Sequence, residues 1–190
     1  LNVQDNSTLT IDGTEFVCNN TANNTGTSGG GAIRIQGGAA VTISNANFTG
    51  NTTTQYGGAI LYTVANGADP ALNISNTVFW NNTAERGGGL YSGSETTTNV
   101  TDSYFEGNVS TGTHSTFNGG GGIYIDAGPN ATGNPDQTVF NLTNSTLTGN
   151  MGGNNNGGGM HIQEAETTED DPSGSGQEDI ITITNTVMCN

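Results

Sequence analysis

The chain has 190 residues, 31 of them glycine, and is 31% hydrophobic and only 10% charged. Its 17 acids face two cations, Arg34 and Arg86, giving a net charge of −15. Two scattered arginines cannot supply the clustered positive charge that nucleic acids and anionic lipid surfaces require, and no apolar run approaches the length of a membrane span, so neither nucleic acid nor membrane insertion is expected.

The elements repeat along the chain. The first is Leu9-Thr-Ile-Asp-Gly-Thr-Glu-Phe16-Val-Cys18-Asn19: two alternating aliphatics, an aromatic, then an asparagine three residues on. Gly30-Gly31-Ala32-Ile33 follows and runs into the alternation Ile33-Arg34-Ile35. The first phrase returns at Val41 to Asn51 around Phe48, the second at Gly57-Gly58-Ala59-Ile60. A third pair is Leu72 to Asn82 around Phe79, then Gly87-Gly88-Gly89-Leu90. Looser copies run from Thr98 to Asn108 around Phe105 and from Phe140 to Asn150 around Leu147, trailed by Gly120-Gly121-Gly122-Ile123 and Gly157-Gly158-Gly159-Met160. The stretch 164–179 inserts seven acids among Pro, Ser and Gly, before a sixth copy from Ile181 to Asn190 around Met188.

Low hydrophobicity with high net charge is ordinarily a signature of disorder, but a repeat outweighs it. The aromatic positions are 32, 31, 26, 42 and 41 residues apart. Helical repeats hold their period and need long stretches of 3.6-residue periodicity, which glycine at this density would destroy. Here the short period-two alternation is constant and only the intervening loop varies. That is the behaviour of an all-β, right-handed parallel β-helix of five to six coils with variable outward loops, one domain over 1–190. The aliphatic pair and the aromatic would point inward and stack from coil to coil. The glycines would sit where a Cβ clashes or φ is positive. The regular Asn19, Asn51, Asn82, Asn108 and Asn150 suit an inward ladder, each amide bonding to its copy about 4.8 Å away; plain turn chemistry is the competing explanation.

The Gly-Gly-Ala-Ile and Phe-x-x-Asn phrases resemble the repeat of the chlamydial polymorphic membrane proteins. Gly57-Gly58-Ala59-Ile60, Gly30-Gly31-Ala32-Ile33 and Phe48-Thr-Gly-Asn51 match it letter for letter, and the similarity spans roughly 9–163 and the last ten residues. It implies a β-helical surface passenger with adhesin activity. Two features depart from it: no translocating barrel is present, and the chain is crowded with Asn-x-Ser/Thr sequons, which suits a eukaryotic secretory route.

There are twelve such sequons, about twice what shuffling this composition gives. Asn19, Asn51 and Asn108 would be buried in the ladder and closed to sugar. The candidate glycan sites are Asn6, Asn23, Asn47, Asn73, Asn81, Asn99, Asn130, Asn141 and Asn144. Among them Asn73, Asn99 and Asn141 alternate with inward positions and are expected to form an outward stripe. The bland alternative is that Asn and Thr simply suit turns and wet faces.

Cys18 and Cys189 fall in the first and last copies, about five rungs or roughly 24 Å apart, too far for a disulfide within one straight solenoid. Stacking two molecules head to tail would bring Cys189 of one near Cys18 of the next, a candidate interchain bond. A one-position offset counts against it, and two free thiols, or partners in a longer parent chain, remain open. The termini fall inside strand-like copies without an initiating Met, as for a processed chain or a segment of a longer one.

Catalysis is not expected. A β-helical lyase needs a basic residue beside calcium-holding carboxylates, and neither arginine lies near an acidic cluster. Asp12 and Asp102 are three rungs apart, and no nucleophile elbow supports a triad. His114 and His161 stand alone. The acidic insertion lacks an Asp-x-Asp-x-Asp-Gly loop, so a calcium ion is conceivable but unsupported and no cofactor is expected. The expectation is an extracellular, N-glycosylated rod assembling head to tail into a surface filament. The alternative is an adhesin whose Tyr56, Tyr62, Trp80, Tyr91, Tyr104 and Tyr124 meet sugar or a receptor, with Trp80 the leading exposed contact; a polysaccharide lyase or hydrolase ranks below both.

Overall fold

The computed structural model describes residues 1–4, 7–21, 29–64, 71–112, 119–127, 137–153, 156–164 and 179–189. They form a parallel β-solenoid of six stacked rungs. Sheet A collects Asn2–Val3, Ile33–Ile35, Ile60–Tyr62, Leu90–Ser92, Ile123–Ala127 and Met160–Glu164. Sheet B collects Thr8–Asp12, Ala40–Ser44, Ala71–Ser75, Thr97–Thr101, Val139–Thr143 and Ile180–Thr184. Sheet C collects Glu15–Val17, Asn47–Thr49, Val78–Trp80, Tyr104–Glu106, Thr146–Thr148 and Val187–Cys189. Sheet D holds Asn20–Thr21, Thr52–Thr53, Thr83–Ala84 and Val109–Ser110, and Met151 adds a bridge to Val109. Every pairing is parallel, and every strand pairs with its equivalent one turn of the chain earlier or later.

The register follows the repeat phrase. Leu9, Val41, Leu72, Thr98, Phe140 and Ile181 lie opposite one another in sheet B. Phe16, Phe48, Phe79, Phe105, Leu147 and Met188 do the same in sheet C. Because side chains alternate across a strand, these columns share the interior with Ile33, Ile60, Leu90 and Ile123 of sheet A, and their buried hydrophobic members make one cluster against which Leu9, Phe16 and Ile181 pack. The phenylalanines stack face to face, with centroids 4.3 to 5.0 Å apart. Parallel in-register pairing forces this: identical side chains one rung apart have nowhere to go but over each other.

The corners carry their own columns. Between sheets B and C, Asn45, Asn76, Asp102, Asn144 and Asn185 all adopt left-handed φ of 46° to 53°, a conformation that Asn and Asp tolerate. Between sheets D and A the glycine pair acts in two ways. Gly57 has φ of 66°, and a Cβ on Gly58 would lie 2.2 Å from the Gly88 carbonyl oxygen. The neighbouring rung fills the space a side chain would need.

Candidate functional site

The two ends of the stack are its most distinctive surfaces. Among the described residues, each first-rung strand in sheets A, B and C pairs on one side only, as does each sixth-rung strand. The outer side of each has no strand partner among those residues, which is the usual template for adding another strand. The exposed large hydrophobics gather there too. Leu1 and Val17 lie on the first rung, and Ile162, Ile180, Ile183, Val187 and Met188 on the sixth. Met151 is exposed where sheet D ends. Met188 is 45% exposed although its equivalent Phe79 is fully buried, because no further rung covers it. The strand segment Ile180 to Cys189 itself contains no charged residue, while Glu164 and Asp179 of the same rung and the net charge of −15 on each copy work against contact at that end. A shallow depression at the first-rung end is lined by Leu1, Thr21, Gly30 and Arg34.

Between the ends runs a column of asparagine amides. Asn19, Asn51, Asn82 and Asn108 each donate from Nδ2 to the Oδ1 of the next, ending on Asn150, at 2.8 to 2.9 Å. Their backbone N–H groups donate to the same oxygens. Asn51, Asn82, Asn108 and Asn150 also donate to the carbonyls of Phe16, Phe48, Phe79 and Phe105 one rung back. The column has a direction: amides point toward the sixth rung and carbonyls toward the first. Asn51, Asn82 and Asn108 are fully buried. Asn19, expected to be buried, is exposed because nothing stacks below it.

The candidate glycan sites separate by geometry. Asn6, Asn23 and Asn130 lie outside the described residues, as do His114 and most of the acidic stretch 164–179. Asn73, Asn99 and Asn141 do form an outward column on sheet B, but they are tied to each other. Asn141 donates to Asn99 and Asn99 to Asn73, both at 2.9 Å. Asn81 and Asn144 occupy left-handed corners. Asn47 stands exposed in the extended strand Asn47–Thr49, and its side chain makes no hydrogen bond to any described residue.

Cys18 and Cys189 are free, exposed thiols at opposite ends of sheet C. The Cys18 sulfur leans toward Gly50 of the second rung, away from the open edge, and Cys189 donates to the Thr148 hydroxyl at 3.4 Å.

The aromatic face expected for ligand contact is dispersed. Tyr62 points into the core. Tyr91 and Tyr124 are buried on the outer side of sheet A in a satellite cluster with Leu61 and Tyr56. There Tyr56, Tyr91, Tyr124 and His161 stack in sequence at 4.9 to 5.2 Å, and the Arg86 guanidinium sits 4.9 Å over the Tyr56 ring. Tyr91 donates to Asp126 at 2.8 Å and Tyr124 to Gln163. Burial, reinforced by the Asp126 carboxylate, holds the Tyr91 hydroxyl far above the usual tyrosine range. Only Trp80 and Tyr104 remain exposed, on neighbouring strands of sheet C two positions out of register, with Tyr104 opposite Val78 and Trp80 opposite Glu106. Among the described residues no three His, Cys, Asp or Glu side chains converge as a metal site would require.

Comparison with family models, curated proteins and solved structures returned no match. The likeness to polymorphic membrane protein repeats therefore rests on the two phrases quoted above.

Proposed function

We propose that this chain is a structural, non-catalytic solenoid segment that associates end to end into an extracellular, N-glycosylated filament. The observation that carries the reading is the concentration of exposed apolar side chains on the terminal rungs, beside open parallel edges. Repeating the observed pairings once more puts Ile11 of one copy opposite Ile183 of another, Phe16 opposite Met188 and Val17 opposite Cys189. The inward columns of sheets A, B and C then continue with apolar residues. Such a contact is heterologous and does not close, so it propagates as a fibre. The repeat resemblance and the sequon density are consistent with a surface-exposed setting.

In that register Cys18 would lie one position from Cys189 along neighbouring strands, a Cα separation of roughly 6 Å, inside the disulfide range. Rotation of the Cys18 side chain toward the open edge, with an extracellular oxidant such as molecular oxygen or a disulfide taking two electrons and two protons from the thiols, would complete a staple. A second reading, an adhesin face, draws on Trp80 and Tyr104. Sedimentation separates the two. The double variant Ile183→Lys, Met188→Lys should keep the unfolding midpoint of the single rod, because both positions are exposed in it, and should abolish concentration-dependent growth. Unchanged growth would defeat the end-to-end reading.

A further inference from the structure

We infer that Asn47 carries an N-linked glycan whose first sugars lie on the apolar patch formed by Val78, Trp80 and Tyr104. The inference rests on the glycoprotein reading above and adds a specific site and a partner surface to it.

Trp80 is 46% exposed and Tyr104 36%, and they are the exposed large hydrophobics that lie away from the ends of the stack. End-to-end association leaves both uncovered. Asn47, Val78 and Tyr104 occupy one outward column of sheet C on consecutive rungs. Trp80 is two residues along its strand from Val78 on the same face, which sets it roughly 8 Å from Asn47 by strand spacing and rise. A sugar linked to the Asn47 amide and lying toward the sixth rung therefore meets Val78 first, with Trp80 alongside and Tyr104 beyond. Aromatic rings with a flat exposed face suit the apolar C–H face of a pyranose. Thr49 and Glu106, on either side of Trp80 in its column, offer a hydroxyl and a carboxylate at its border.

The other described sequons are placed differently. Asn51 and Asn108 are buried in the inner column, and the Nδ2 groups of Asn19, Asn99 and Asn141 donate to Asn51, Asn73 and Asn99. Asn73 is exposed, but its column neighbours are Thr42 and Asn99, with no aromatic beside it. Asn81 and Asn144 sit in corners. Asn47 combines an extended backbone, an exposed and unengaged amide, and an uncovered aromatic on the next rung. The occupant of the patch is thus a covalent one.

Trp80 is the chain's single tryptophan, so its emission reports on this patch alone. The chain secreted from a eukaryotic host is to be mapped by glycopeptide mass spectrometry. Its fluorescence is then recorded before and after enzymatic removal of N-glycans, beside Asn47→Gln, Thr49→Val and, as a control, Asn144→Gln. The inference predicts occupancy at Asn47. It also predicts a shift of emission to longer wavelength on deglycosylation, the same shift in both sequon variants, and none in the control. Trp80→Ala should lower the melting temperature of the glycosylated chain and leave that of Asn47→Gln nearly unchanged. Asn47 occupied with no emission change refutes the docking. Asn47 empty while other sequons carry sugar refutes the site. Sugar on no sequon at all removes the glycoprotein reading together with the inference.

Discussion

A buried primary amide must satisfy two donors and an acceptor, and leaving one of them unmade costs about 1–3 kcal/mol. Asn82 meets every requirement at once: it donates to Asn108 Oδ1 and the Phe48 carbonyl, and accepts from Asn51 through both N and Nδ2. Asn82→Ala strands several partners in the interior, so a loss of about 3–5 kcal/mol is predicted in urea unfolding. At the open end Asn19→Ala should cost less than about 1 kcal/mol, since water replaces what is lost. Equal losses at both positions would show that the column contributes nothing beyond single side chains. Glycine makes a parallel case. Gly58→Ala would put a Cβ 2.2 Å from the Gly88 oxygen, and relief requires a rung to move. Gly149, with φ of 58° and nothing within 4 Å of a Cβ, should lose only about 1 kcal/mol as alanine. Thermal melts of the two variants should differ severalfold in effect. The ladder asparagines and the glycine pairs were readable in the sequence because each recurs in a fixed phrase, the asparagine three residues after the aromatic position. The left-handed corner column was present in the same alignment but went unread, and its member Asn144 registered only as a candidate glycan site.

At the scale of elements, the fourth rung shows how a repeat drifts without failing. Thr98 occupies an inward position held elsewhere by Leu, Val or Phe. Ser92 stands at a position held by Tyr62 and Ile125 on the rungs either side. The two hydroxyls meet at 2.9 Å, and Ser92 also bonds Thr96, so two polar intrusions satisfy each other. The outer tyrosine stack on sheet A was not legible. Alternation along Ile123-Tyr-Ile125 places Tyr124 outside, and only packing on that outer side makes outside and exposed different things. His161 caps this stack, and burial, then the nearby Arg86, lowers its pKa. The fold thus favours the neutral imidazole. Below the ordinary histidine pKa of about 6.5 the unfolded chain takes up a proton that the rod resists. This contribution to stability is therefore present at neutral pH and lost as pH falls. His161→Phe, which keeps the stacking ring, should flatten the dependence of the unfolding midpoint between about pH 7 and pH 5. An undiminished slope would place the titration elsewhere.

At the scale of the molecule, a solenoid with in-register columns has no intrinsic length. Each rung is the template for the next, and growth stops only where a cap or a change of column interrupts it. Neither terminal rung introduces a charge into an inward column: Leu9, Ile11 and Phe16 begin them, and Ile181, Ile183 and Met188 end them. This much followed from aligning six copies of one phrase. What the ends do with that compatibility depends on how they pack, which a linear alignment does not contain. The most direct test is electron microscopy of the native material, with and without reductant. The account predicts continuous fibres with an axial repeat near 29 Å, six rungs at about 4.8 Å, shortening under reductant if Cys18 and Cys189 staple the junction. Isolated short particles at every concentration, in both conditions, would contradict it.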